Sequence, residues 1–197
     1  ISFFRHFKTP YNDGSYLGQG RNPDINFKSI LKDEFEEPNV IYSSPLARCI
    51  QSANIIYKNS NLIHDNRLLE FDYGDAEGLK YEDLIHQYPH IISDWENGKD
   101  PYFPNGENTN QVFNRLLSFL SDLSKTLNES HINKVSIFTH NGILRCLIGN
   151  FFQIDKKDWF KIFIPHGIKI EFIYLEGKYY PNISKNILPR ILNNIGL

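Results

Sequence analysis

The chain has 197 residues, the length of one ordinary domain and too short for two full-sized ones. Its content of 41% hydrophobic, 22% charged and 14% aromatic residues excludes a disordered or collagen-like chain. The formal net charge is −2, from 21 Lys plus Arg against 23 Asp plus Glu, and no basic stripe tracks a phosphate backbone, so no nucleic-acid partner is expected.

Residues 1–4 read as a first strand. Residues 40–43 are a second β-rich run, followed by Pro45 at a first helical turn and by Leu46, Cys49, Ile50, Ala53 and Ile56 at helical spacing, a strand feeding a helix. Residues 62–64 suit a short edge strand, and 80–88 and 91–97 read as brief helices separated by Pro89. Residues 108–129 carry Val112, Leu116, Phe119, Leu120, Leu123 and Leu127, an amphipathic stripe suited to covering a sheet. Residues 134–139 (KVSIFT) are β-branched and aromatic and stop at a turn, His140, Asn141 and Gly142, after which 143–152 resume helical spacing. Residues 168–174 alternate apolar with polar, and Glu176, Gly177 and 179–180 complete a hairpin. This alternation predicts a three-layer α/β/α sandwich around a mostly parallel sheet, one domain over 1–197. The apolar C-terminal segment covers either its own core or a partner subunit in a homodimer.

The apolar run 135–152 is broken by His140, Asn141, Arg145 and Asn150, too polar for a bilayer span, and ISFFRHFKT lacks the pattern of a secretory signal. No membrane partner is expected. Cys49 and Cys146, each in an apolar helix-like stretch, make no disulfide scaffold, and a reducing, cytoplasmic setting is expected. His86 and His90 straddle Pro89 without a third ligand at metal spacing, so no metal site is assigned.

In an open α/β sheet, ligands bind beyond the carboxyl ends of strands. Arg5 and His6, then residues 43–48, then residues 139–142 follow three predicted strands. Two arginines and two histidines gathered there suit one phosphoryl group: guanidinium forks bind its oxygens and a neutral imidazole nitrogen attacks phosphorus.

Several stretches, in order, resemble a known family. RHFKTPYN (5–12) is similar to the RHGxTxxN signature of the histidine phosphatase superfamily, the phosphoglycerate mutase-like proteins. YLGQGRNPD (16–24) resembles its glutamine-glycine loop and SSPLARCIQSA (43–53) its SSPLxRxxQTA helix start. LLEFDYGDAEG (68–78) resembles LxExxFGxxEG, NGEN (105–108) resembles GGES, and THNG (139–142) resembles SHGG. The resemblance implies a phosphoglycerate mutase-like fold and a nucleophile at His6 that becomes a phosphohistidine. It implies that Arg5, Arg48 and His140 hold the phosphoryl oxygens, that Asn12 bonds at the pocket, and that Glu70 protonates the leaving group among apolar Leu68, Leu69, Phe71 and Tyr73. Gln19, Glu107 and His166 stand as substrate-binding candidates, Glu107 also as the alternative acid. No cofactor or metal is implied.

The expected reaction is hydrolysis of a small-molecule phosphomonoester, with a mutase-type phosphotransferase or a catalytically weak phosphate-binding module as alternatives. A helical cap over the site falls to residues 78–128, in which Tyr81, Tyr88, Trp95, Tyr102 and Phe103 offer an aromatic lining. Two departures stand out. Asn141 replaces the residue after the second histidine, and Phe7 replaces the usual glycine after the nucleophile. A glycine there serves either a positive φ, which would strain Phe7, or the close approach of a neighbouring side chain.

Overall fold

The computed structural model describes residues 1–27, 35–58, 61–184 and 186–195. Six strands, β1 (Ser2–Arg5), β2 (Val40–Ser43), β3 (Leu62–His64), β4 (Val135–Thr139), β5 (Lys169–Leu175) and β6 (Lys178–Pro181), form one sheet in the order β3-β2-β4-β1-β5-β6. The first four in that order run parallel, and β5 and β6 are antiparallel additions at one edge. β4 is buried along its whole length, as a central parallel strand covered on both faces must be.

Side-chain alternation builds the layers. On β1 and β4, Phe3 and Ile137 join one core with α4 (Thr109–Glu129) and α5 (Asn141–Phe151). Their sequence neighbours Phe4 and Phe138 join a second, smaller core with Ile41, Cys49, Ala53 and Tyr57, under α1 (Ala47–Ile56). Phe4 and Phe138 stack with ring centroids 4.7 Å apart. The first core takes the buried stripe of α4, which is capped by Asn108: its side chain accepts from the Gln111 amide at 3.0 Å, and the Gln111 side chain accepts from the Asn108 amide at 3.1 Å.

Three local expectations change. Pro45 lies ahead of the first helix, because Leu46 is still extended and α1 starts at Ala47. Pro89 does not merely separate two helices: α2 (Tyr81–Gln87) ends before it, and it is the first residue of α3 (Pro89–Glu96), where its missing N–H costs nothing. The turn read at residues 140–142 is the start of α5, which begins at Asn141 directly after the strand. The C-terminal segment covers its own core: in α6 (Leu188–Leu192) Ile191 is fully buried, and its carbonyl accepts from the Phe163 amide at 3.0 Å. No helix among the described residues is long and apolar enough to cross a membrane.

Candidate active site

Strand register sets the site. Arg5 pairs with Thr139, so the next residues on β1 and β4, His6 and His140, leave the sheet side by side with ring centroids 5.2 Å apart. Ser43 pairs with Phe138, which brings Ser44 and the first turn of α1, with Arg48, to the same crevice beyond the strand ends. His166 arrives by a tertiary route: Gly167 donates its N–H to the carbonyls of Arg5 (3.1 Å) and His6 (3.2 Å), and the His166 ring stands edge-on to His6 at 5.4 Å.

His6 is buried, with Nδ1 2.7 Å from the Phe7 carbonyl. A carbonyl only accepts, so Nδ1 carries the proton and Nε2 is left as a free base. Burial first, then the charges of Arg5 and Arg48, hold its pKa well below that of an ordinary imidazole, so the ring is neutral. His140 is neutral for the same reasons, burial and then Arg48. Its Nδ1 accepts from Arg48 Nε at 3.2 Å, which leaves its Nε2–H to donate to Ser44 Oγ at 2.8 Å, with Cys49 Sγ at 3.3 Å.

Among the described residues, Arg5 and Arg48 have no carboxylate partner. Arg48 is fully buried and donates Nη2 to Gly18 O (2.7 Å) and Nη1 to Arg21 O (3.0 Å), so each terminal nitrogen keeps one further N–H. Arg5 donates Nη1 to Ile164 O, and burial lowers its pKa to about 10 against the pull of Glu70. Among the described residues, the buried side-chain atoms without a partner are Arg5 Nε, Asn141 Oδ1 and His166 Nε2. Each belongs to this cluster or is next to it in sequence, where such unmet polarity is expected of a site that takes a polar ligand.

Glu70 is buried at the start of α5. Its Oε1 accepts from the amides of Phe71 (2.9 Å) and Gly142 (2.8 Å), and its Oε2 from Asn141 (3.2 Å). Two of these are first-turn amides of a helix whose N-cap, His140, supplies no side-chain bond, so Glu70 caps α5 from outside. The surroundings expected of Glu70 were apolar side chains; the structure adds a ring of backbone donors.

Gln19 and Glu107 sit behind Glu70. Gln19 Nε2 donates to the Glu70 carbonyl at 2.8 Å, and Glu107 pairs with Arg115 (2.9 Å) and accepts from the Asp72 amide (3.0 Å). Arg115 in turn donates to the carbonyls of Arg67, Leu69 and Glu70, a support that no motif marks in the sequence. Asn12 accepts from the Thr9 amide at 2.6 Å and the Thr9 hydroxyl at 3.2 Å, the bonds of a turn residue. Glu77, which the sequence analysis does not single out, takes three successive amides on its carboxylate, Gln19 (2.6 Å), Gly20 (3.0 Å) and Arg21 (3.2 Å), and so pins the loop whose carbonyls hold Arg48.

Among the described residues, the non-glycine residues with positive φ are Asn105, Gln153 and Glu176, and Phe7 is not one of them. Close approach is what matters here: the Phe7 ring packs on Gly167, at φ +73°, where an added Cβ would come within 2.9 Å of it.

Phe71 and Gly142, whose amides hold Glu70 Oε1, also line a cavity of about 210 Å³, bordered further by Tyr16, Tyr73, Trp95 and Arg145 and by the charged Glu96 and Lys156. Its lining does not include His6, Arg48 or His140, all three of which are buried, Arg48 against the carbonyls of the loop at residues 18–21. Of the expected aromatic lining, Tyr81 and Trp95 border it, Phe103 is buried behind it against Tyr73, and Tyr102 is exposed. Within 78–128 the cavity is bordered by α2, by α3 and by Thr109 at the start of α4, while α4 further along packs on the sheet, Phe119 against Tyr42.

Residues 1–179 match the model of the histidine phosphatase superfamily (branch 1). The chain is 31% identical over 174 residues to 6-phosphofructo-2-kinase/fructose-2,6-bisphosphatase of Caenorhabditis elegans, covering 84% of this chain but only 36% of that protein. It is 30% identical to phosphoserine phosphatase 1 of Hydrogenobacter thermophilus, covering 79% and 77% of the two chains. The crystal structure of the alpha-ribazole phosphatase from Shigella flexneri has the same fold, with a TM-score of 0.76 at 20% identity over 92% of this chain and 94% of that one.

Proposed function

Because the chain belongs to the histidine phosphatase superfamily, we propose that it hydrolyses a small-molecule phosphomonoester through a phosphohistidine at His6. That it is a phosphoric monoester hydrolase follows from the family together with phosphatase relatives in the Hydrogenobacter and yeast proteomes. The observation that carries the mechanism is the orientation of His6: the bond from Nδ1 to the Phe7 carbonyl leaves Nε2 as a neutral base beside Arg5 and Arg48.

In the first step Nε2 attacks phosphorus, the bond from phosphorus to the leaving oxygen breaks, and that oxygen takes a proton. Glu70 is the proposed donor through Oε2, whose single hydrogen bond, 3.2 Å from Asn141, leaves it room for a proton. In the second step water attacks phosphorus, Glu70 takes the proton back, and the P–N bond breaks to release inorganic phosphate and His6. The free N–H groups of Arg48, together with Arg5, face the charge that develops on the transferring group. Direct contact from His140 requires its Nε2–H to leave Ser44; as placed, it serves by holding Arg48 Nε. Gln19 and Glu107 are proposed as supports of the Glu70 backbone, Asn12 as a brace of the loop after His6, and His166 as a pocket-edge contact.

Residues 78–96 form the proposed cap. A cytoplasmic setting is supported by two free, buried cysteines. The test is phosphoenzyme trapping. Protein incubated with a labelled phosphomonoester and quenched in detergent at alkaline pH should carry base-stable, acid-labile label in wild type and none in His6→Ala, with hydrolysis reduced by at least about 10³-fold. Equal turnover in both proteins would sink the proposal, and transfer to a second hydroxyl without phosphate release would make the protein a mutase.

A further inference from the structure

Arg48 is a fully buried cation, and none of the bonds that hold its guanidinium comes from a carboxylate. Burial disfavours its charge, and the acidic groups that act against this, Cys49, Glu70 and Glu77 among them, do so through space. A guanidinium kept this far from water needs a counter-charge. A carboxylate placed directly on its fork, however, would occupy the N–H groups that the proposed reaction requires.

The loop at residues 18–21 reconciles the two demands. The peptide group that joins Gly18 to Gln19 carries the Gly18 carbonyl at one end and the Gln19 N–H at the other. The carbonyl accepts from Arg48 Nη2 at 2.7 Å, and the N–H donates to Glu77 Oε1 at 2.6 Å. One planar peptide thus lies between a guanidinium and a carboxylate, each bond polarising the other. The Gly20 amide adds a bond to Oε1 at 3.0 Å and the Arg21 amide one to Oε2 at 3.2 Å, while the Arg21 carbonyl accepts from Arg48 Nη1 at 3.0 Å. The carboxylate therefore takes the N–H side of the loop and the guanidinium its carbonyl side. Two glycines permit the approach: a Cβ on Gly18, whose φ is +65°, would overlap Glu77 Oε1, and one on Gly20 would come within 2.8 Å of Oε2. Among the described residues no lysine or arginine pairs directly with Glu77.

We propose that Glu77 is the counter-ion and positioning residue of Arg48, acting through the peptide between Gly18 and Gln19 rather than by contact. The guanidinium charge is balanced at one remove, and one N–H on each terminal nitrogen stays open to a phosphoryl oxygen. Glu77 itself touches neither substrate nor reacting atoms. Its effect on turnover rests on the assignment of hydrolysis to His6; its effect on phosphate binding does not.

The test is a double-mutant cycle read on p-nitrophenyl phosphate. In the wild-type background Glu77→Ala should lower kcat/KM about 10–100-fold, the scale of a misplaced transition-state contact. In an Arg48→Gln background the same change should cost about threefold or less, because the group it acts through is gone. A residue that only supported the fold would lose the same factor in both backgrounds. Two further variants guard against a general loss of structure. Gly20→Ala, which displaces the carboxylate without touching Arg48, should lower kcat/KM as Glu77→Ala does. Glu77→Gln, which keeps an acceptor oxygen but no charge, should fall between Glu77→Ala and wild type. Calorimetric titration with inorganic phosphate needs no turnover, and there Glu77→Ala should weaken binding about tenfold. An equal loss in both backgrounds, or phosphate affinity unchanged in Glu77→Ala, overturns the proposal. Phosphate binding that depends on Glu77 in a protein that hydrolyses no phosphomonoester would sustain it and refute the phosphatase reaction instead.

Discussion

His6 and Phe7 show how one position is fixed by its neighbours. The Phe7 carbonyl orients the imidazole, the Phe7 amide donates to Ser52 Oγ at 2.9 Å, and the Phe7 ring lies on Gly167. An aromatic residue after the proposed nucleophile is therefore accommodated by a glycine far away in sequence. Gly167→Ala puts a Cβ against that ring in a backbone region that side chains rarely adopt, and it should cost about 1–3 kcal/mol. Urea denaturation checks this, and a loss under about 0.3 kcal/mol would show that Phe7 moves freely. Most of the site at this scale was legible in the sequence: Arg5, His6, Arg48, Glu70 and His140 lie where motif order places them. Asn12, Gln19 and Glu107 turn inward to support loops, because motif resemblance identifies a residue type without saying which atoms it must satisfy.

Helix ends are where the elements meet the chemistry. α5 starts immediately after β4 because Glu70, from another segment, satisfies the first-turn amides that a local cap would otherwise serve. No signal near residues 140–142 carries that information, so the segment reads as a turn until the partner is in place. α4 is the opposite case, its capping box being written in its own residues, Asn108 and Gln111. Asn108→Ala should lower stability by about 1 kcal/mol, measurable as a shift of the thermal midpoint. An unchanged midpoint would mean that Asp100, which accepts from the Thr109 and Asn110 amides, caps the helix sufficiently alone.

Across the whole molecule, burying three imidazoles in one cluster links the fold to pH. The pKa values of His6 and His140 are pushed well below the ordinary range, first by burial and then by neighbouring arginine charge, and that of His166 is lowered to about 3 by burial and then Arg5. In the unfolded chain these groups titrate near 6.5, so below about pH 6.5 the unfolded state binds protons that the native state refuses. Stability is thus fully present above that pH and declines as pH falls towards the native pKa values. The thermal midpoint should drop between pH 7.5 and 5.5, less steeply in His166→Gln, and a flat profile over that range would contradict the buried neutral cluster.

The sequence by itself determined the layered α/β architecture and which residue types stand beyond the strand ends at the candidate site. Periodicity is a local property, and each motif keeps its own residue types together. Tertiary structure alone decided that β5 and the loop before it deliver His166 and Gly167 to His6. It also decided that Glu77 and Arg115 brace the candidate site, and that Arg145 lines a chamber with aromatic walls. Those relations join segments tens to more than a hundred residues apart. They depend on strand register and on which buried donors remain to be satisfied, and neither is written in the spacing of any one stretch.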